Sequence, residues 1–208
     1  MLKYLIIAVS GIIIFCLLLA GFHNLRVYLK NKKEMKSYSG LPTEIKKEFG
    51  KVLIVYYSLS GNTRDLAEKI QQQTNADLYE IKTKEELPSG VSLYSSIKKQ
   101  VKSGNYPELQ GEFPDFESYD LIFVGAPVWW YTVATPVLSF LEKADFKNKY
   151  VVPFSTQGSN PGTFFEDFEA KAKNAIILPG KQFNNISKKY DNAIVQKVIV
   201  WLNSLDVK

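Results

Sequence analysis

The chain has one cysteine and one histidine, Cys16 and His23, and both lie near its start. From residue 24 onward there is therefore no thiol nucleophile, no Cys/His metal site, no imidazole base and no Ser-His-Asp triad. Disulfides are excluded as well, so cysteine usage says nothing about redox compartment. No D-x-D motif occurs, which together with the missing thiol argues against phosphatase chemistry. No side chain stands out as a catalytic acid or base, and no metal-ligand spacing is present. If the chain does chemistry, carboxylates or a bound cofactor must supply it.

A basic surface is also missing where a nucleic-acid binder needs one. The formal net charge is +5, but residues 1–49 carry eight Lys/Arg against three Asp/Glu, which leaves eighteen of each sign in residues 50–208. The excess sits at the N-terminus, and no Lys/Arg stripe interleaved with aromatics comes after it, so no nucleic-acid partner is expected.

What the N-terminus has instead is a run from Tyr4 to Leu25, 22 residues without a formal charge between Lys3 and Arg26. A hydrocarbon core of ~30 Å needs ~20 helical residues, so the run is long enough to cross one. It reads either as an uncleaved anchor contacting lipid through residues 4–25 or as a secretory signal. No small-x-small cleavage site follows cleanly and Cys16 is not in a lipobox-like setting, which favours the anchor. Arg26, Lys30, Lys32, Lys33 and Lys36 on one side against Lys3 on the other predict a cytoplasmic location for the C-terminal domain, and the same cluster suits anionic lipid. The expected organisation is an anchor with its basic flank over 1–29, a polar tether over 30–49 broken by Gly40 and Pro42, and one globular domain over 50–208.

The domain alternates apolar runs with amphipathic segments. Val52–Tyr57 is a continuous apolar run with β-branched residues, of the kind covered on both faces. Thr63–Thr74 has helical spacing, Ala76–Lys82 alternates, and Ser92 can cap a helix carrying Leu93, Ile97 and Val101 and ending near Gly104. Leu121–Val124 reads as a strand, and Thr135-Pro136 as the cap and first position of a helix. Tyr150–Phe154 is a strand despite Pro153, Thr163-x-x-Glu166 is a capping-box pattern, Ala175–Leu178 is a short strand, and Asp191–Leu205 a helix. Strands starting near 51, 77, 120, 150 and 175 are far enough apart for helical crossovers. The class is α/β: a doubly wound, five-stranded parallel sheet with helices on both faces, preceded by one transmembrane helix.

Ligands of such sheets bind beyond the carboxyl ends of the strands, so the loops there carry the candidate site. The first is Ser58, Leu59, Ser60, Gly61, Asn62 and Thr63. A strand-to-helix turn exposes backbone N–H groups under a helix dipole, and its hydroxyls and amide suit a monophosphate held by neutral donors; no Lys of a P-loop is present, and Arg64 is the only nearby cation. The second is Ala126, Pro127, Val128, Trp129, Trp130 and Tyr131, whose aromatic faces suit a planar ligand or a protein partner. The third is Ser155, Thr156, Gln157 and Gly158, continuing through Ser159 to Gly162, with small and amide residues able to bond the edge of a heterocycle.

S-L-S-G-N-T after a buried strand resembles the phosphate-binding loop of flavodoxins, [ST]-x-[ST]-G-x-[ST]. A-P-V-W-W-Y and V-P-F-S-T-Q-G-S resemble their two flavin-facing loops, in the right order, over roughly residues 50–206. The resemblance implies the sheet order 2-1-3-4-5 and non-covalently bound FMN at the three segments. It also implies electron transfer, as a carrier or as an NAD(P)H-dependent quinone reductase, with a quinone or another redox partner at the membrane. The alternative is a flavin-free module of this fold binding a protein through Trp129-Trp130-Tyr131. The chain departs from the family pattern twice. Its domain is neutral where many flavodoxins are acidic. It also has no glycine from Ala126 to Ala134, where flavodoxins often have one whose peptide turns over to bond the half-reduced flavin; Tyr131 stands in its place, and a weakly stabilised one-electron state is expected.

Overall fold

The computed structural model describes residues 2–38, 40–158, 160–184 and 193–207. It opens with helix α1, Leu2–Tyr38, of which Val9–Lys30 is long and apolar enough to cross a membrane, with a mean hydropathy of 1.9 and 6% of it buried. The helix runs on through Lys30 to Tyr38, where the sequence predicts a tether. The rest of that segment is not free either: it lies along the last helix of the domain, α6 (Ile194–Ser204). Gln196 donates to the carbonyls of Leu41 and Pro42, Asn203 Nδ2 donates to Glu44 O at 3.0 Å, Asn203 Oδ1 accepts from Lys46 N at 2.8 Å, and Phe49 is buried.

The sheet is built on β1 (Val52–Tyr56), β2 (Asp77–Glu80), β3 (Leu121–Trp129), β5 (Tyr150–Gln157) and β6 (Ile176–Ile177), in the order β2-β1-β3-β5-β6. All four pairings along that path are parallel. A two-residue strand β4 (Thr132–Val133) turns back on β3, and β7 (Lys181–Asn184) continues beside β5 where β6 stops. The predicted order therefore holds, with the fifth strand broken in two. The break explains Pro153. Leu178 N donates to Val151 O at 2.9 Å, so the groups of residue 153 face the same neighbour, and there the chain leaves the ladder through Leu178-Pro179-Gly180 before β7 resumes opposite Phe154. A proline lacking its N–H is tolerated in an inner strand because its partner strand is interrupted at that point.

Side chains alternate between two cores. Leu53, Val55, Ile122, Val124, Ala126 and Val151 face one, covered by α4 (Thr135–Lys143) and α5 (Phe164–Lys171), with α3 (Val91–Ser103) packed beside α4. Val52, Ile54, Leu121, Phe123, Val152 and Phe154 face the other, covered by α2 (Asn62–Thr74) and α6. Burial on both faces is what the unbroken apolar strands require. Several helix starts differ from expectation. Helix α3 begins at Val91 after Gly90, and Ser92 donates to Ser89 O instead of capping. Thr135 lies inside α4 and donates to Gln100 Oε1 at 2.6 Å. Thr163 precedes α5 but its hydroxyl goes to Asp167 Oδ2 at 2.6 Å, so no capping box with Glu166 forms. The expected start of the last helix, Asp191, and Ser159 of the third loop lie outside the described residues.

Candidate functional site

The carboxyl ends of β1, β3 and β5 lead into one cavity of about 450 Å³, lined by Leu59, Val128 to Tyr131, Gln157 and Gly158, and on its fourth side by Leu93, Tyr94 and Ile97 of α3. The three segments singled out in the sequence therefore converge. Helix α3 is marked by its sequence pattern only as a packing helix. The signal for its part in the site is Tyr94, an aromatic one position off the Leu93/Ile97 stripe and 67% exposed.

At the first segment, Gly61 adopts φ 92° and precedes α2 with no side chain capping the helix. The first turn closes with Asp65 N donating to Gly61 O at 2.8 Å, which leaves the N–H groups of Asn62, Thr63 and Arg64 without helical acceptors. Ser60 and Asn62 are exposed and Ser58 half-buried beside them. Thr63 is different: it is 1% exposed, and its hydroxyl shares a 2.8 Å hydrogen bond with that of Thr156. Arg64 is not a free cation, because its guanidinium pairs with Glu80 at the end of β2 and also bonds the Tyr56 hydroxyl.

The second segment is not a loop. Strand β3 continues to Trp129, pairs Val128 with Val133 and Trp129 with Thr132, and reverses at Trp130 and Tyr131, with φ 50° and 64°. Two successive left-handed residues make the type I′ geometry that fits hairpin twist, normally with Asn or Gly at these places. The surroundings hold the aromatic turn. Tyr131 O accepts from Thr163 N at 2.8 Å, and a Cβ on Gly162 would lie 2.1 Å from that oxygen, so only glycine fits there. Asp167 Oδ2 accepts from Thr132 Oγ1 at 2.5 Å and from Thr163 Oγ1 at 2.6 Å. The Trp130 indole donates to Tyr94 O at 3.2 Å and lies under Lys98 Nζ, 5.1 Å from the ring centre. Trp129 meets Tyr57 edge to face at 5.5 Å, and burial, then Glu80, pushes the Tyr57 phenol up to about 12.

The third segment is the end of β5. Gln157 and Gly158 line the cavity, while Ser155 and Thr156 lie inside the protein, as does Ala126 on β3. Among the described residues the Ser155 Oγ and Gln157 Oε1 atoms are buried without a hydrogen-bond partner. Gln157 Nε2 donates to Gln182 at 3.2 Å, so this amide has one end satisfied and one end spare beside the cavity. No cluster of His, Cys, Asp or Glu that could hold a metal occurs among the described residues.

Comparison with known proteins gives the family. No curated protein matches the chain. A flavoprotein from Lactobacillus acidophilus NCFM, solved in complex with FMN, is 27% identical with a TM-score of 0.60 and covers 68% of this chain and 98% of its own. A candidate flavoprotein from Bacteroides eggerthii is 26% identical with a TM-score of 0.63, covering 76% and 99%. One from Bacteroides uniformis, at 24% identity and a TM-score of 0.61, has the same fold and covers 76% and 100%. The family model described as flavodoxin matches residues 51–198, and with the sheet order and the three converging segments the conclusion is that this chain belongs to the flavodoxin family.

Proposed function

We propose that the protein is an FMN flavoprotein that transfers electrons at a membrane, held there by α1. The observation that carries this is the convergence of Leu59, the Val128–Tyr131 hairpin and Gln157-Gly158 on one cavity next to an uncapped helix N-terminus. The residues fit the cofactor. Open N–H groups of α2 with the Ser58, Ser60 and Asn62 side chains suit a phosphate held by neutral donors, and Gly61 leaves space above the backbone for its approach. The apolar and aromatic lining suits a flat ring system, and the spare Gln157 amide oxygen suits an N–H on that ring's polar edge. FMN supplies the redox chemistry when bound; the chain binds it, orients it and keeps water from its face.

The acceptor favoured by this reading is a quinone or a membrane redox partner, with NAD(P)H a candidate donor. The basic flank of α1 supports a cytoplasmic domain. The test is to purify the full chain in detergent, measure flavin absorption and FMN stoichiometry, and then follow NAD(P)H oxidation with a soluble quinone. One FMN per chain is expected. A folded preparation that stays colourless in excess FMN refutes the flavin reading and leaves the partner-binding alternative. Flavin without turnover leaves a carrier.

A further inference from the structure

The anchor joins the domain at a definite end of the sheet. Helix α6 comes after β7 and so runs back from the carboxyl ends of the strands toward their amino ends. The segment before β1 runs the same way. Leu41 and Pro42 meet Gln196 near the start of α6, Glu44 and Lys46 meet Asn203, and Lys47 reaches Leu205 O at its end. Tyr38, the last residue of α1, lies with its ring 5.9 Å from Lys197 Nζ, again near the start of α6. The membrane helix is therefore attached at the carboxyl end of the sheet, the end that carries the cavity. It does not turn back along the domain, because its described side chains from Lys3 to Ser37 are exposed apart from the partly covered Val27.

The spacing is short. Tyr38 is eight helical positions beyond Lys30, the end of the candidate span, and thirteen beyond Leu25, the last residue before the cation Arg26, a rise of about 12 Å to about 20 Å. The headgroup layer on each side of the hydrocarbon is about 5–8 Å thick. Because Tyr38 and the segment from Leu41 both lie against the start of α6, the carboxyl-end face is the part of the domain nearest the end of the span. That face carries Leu59 at 50%, Tyr94 at 67%, Trp130 at 43%, Tyr131 at 62% and Val91 at 87% exposure. Tyrosine and tryptophan with a neighbouring cation, here Lys98, are the side chains that settle at a headgroup boundary, where one edge is apolar and the other wet.

We propose that this face is a lipid-contacting surface: Tyr94, Trp130 and Tyr131 sit among the headgroups of the membrane that α1 crosses, and the cavity mouth opens onto the bilayer. The inference rests on α1 being an uncleaved span and does not depend on the flavin. An acceptor for the site would then be one dissolved in the lipid, reaching the cavity without crossing bulk water.

The test uses the full chain in nanodiscs of phosphatidylcholine and phosphatidylglycerol. In a Cys16→Ser background, nitroxides are attached at Val91→Cys, beside the cavity, and at Lys147→Cys, in the turn before β5 at the opposite end. Collision with oxygen, which concentrates in lipid, is compared with collision with a water-soluble nickel chelate. The expected oxygen-to-nickel ratio is several-fold higher at 91 than at 147. Equal ratios, or the reverse order, overturn the proposal. A second readout needs no label: brominated lipid should quench tryptophan emission in the unlabelled chain and quench it less in Trp130→Phe, and equal quenching overturns the proposal. Chain that separates from the discs on flotation refutes the anchor itself, an outcome distinct from a wrongly oriented domain.

Discussion

Thr63 at the start of α2 and Thr156 near the end of β5 share a hydrogen bond of 2.8 Å between hydroxyls that are both buried. This ties the first and third segments of the site together from behind. The bond is a clamp on the scaffold, whereas the sequence alone suggests that Thr63 faces a phosphate. Thr63→Val keeps the shape but leaves the Thr156 hydroxyl buried and unpartnered, at an expected cost of about 1–3 kcal/mol. The double variant Thr63→Val, Thr156→Val should cost less than the two single changes together, as urea unfolding would show. A bulky acid at 63 should unfold the domain, not merely release cofactor, because the position is 1% exposed.

Neutral donors and not a cation should hold the phosphate. Arg64 is already engaged by Glu80 and Tyr56, whereas Ser60 and Asn62 are exposed beside open N–H groups. Ser60→Ala and Asn62→Ala should each weaken FMN binding roughly tenfold, the equivalent of about 1.4 kcal/mol for a bond to a charged group. Arg64→Ala should leave affinity close to wild type. Titration of FMN fluorescence at low and high salt checks both points; if Arg64→Ala were the most damaging change, the assignment of the phosphate site would be wrong.

The hairpin bears on the flavin's one-electron state. Turning over the Trp130–Tyr131 peptide would leave Trp130 at positive φ with extended ψ, a region open essentially to glycine. The carbonyl there is thus held in one orientation and can offer no new hydrogen bond on reduction. Reductive titration of the FMN-loaded chain should show little blue semiquinone, and Trp130→Gly should raise its share. A large population in the unaltered chain would contradict the fixed turn.

The strand order and the converging segments are legible in the sequence because they arise from strong local signals: β-branched runs, helical spacing, and loops at strand ends. What is not legible depends on contacts across the chain. The Trp130-Tyr131 turn carries no Asn or Gly to announce a hairpin; Thr163, Gly162 and Asp167, some 30 residues later, hold it in shape. Thr135 and Thr163 look like helix caps, yet their hydroxyls are drawn to Gln100 and Asp167. Pro153 is awkward for an inner strand until its partner strand is seen to be interrupted beside it. The polar, Lys-rich stretch before β1 resembles a free tether because only α6, more than 150 residues on, supplies its partners.

Tyr57, packed edge to face against the cavity-lining Trp129, should make the fold sensitive to alkali. Burial raises its phenol from the ordinary 10.0 to about 12, and Tyr56, Tyr79 and Tyr119 are raised as well, each chiefly by burial. Between those values the folded chain keeps a proton that the unfolded chain releases. The contribution of Tyr57 is thus complete below pH 10 and is lost as pH climbs toward 12. Tyr57→Phe removes the ionisation while keeping the ring that packs on Trp129. Urea midpoints should match at neutral pH and diverge in alkali, with the variant the more stable. Identical alkaline curves would mean that the phenol is already in water.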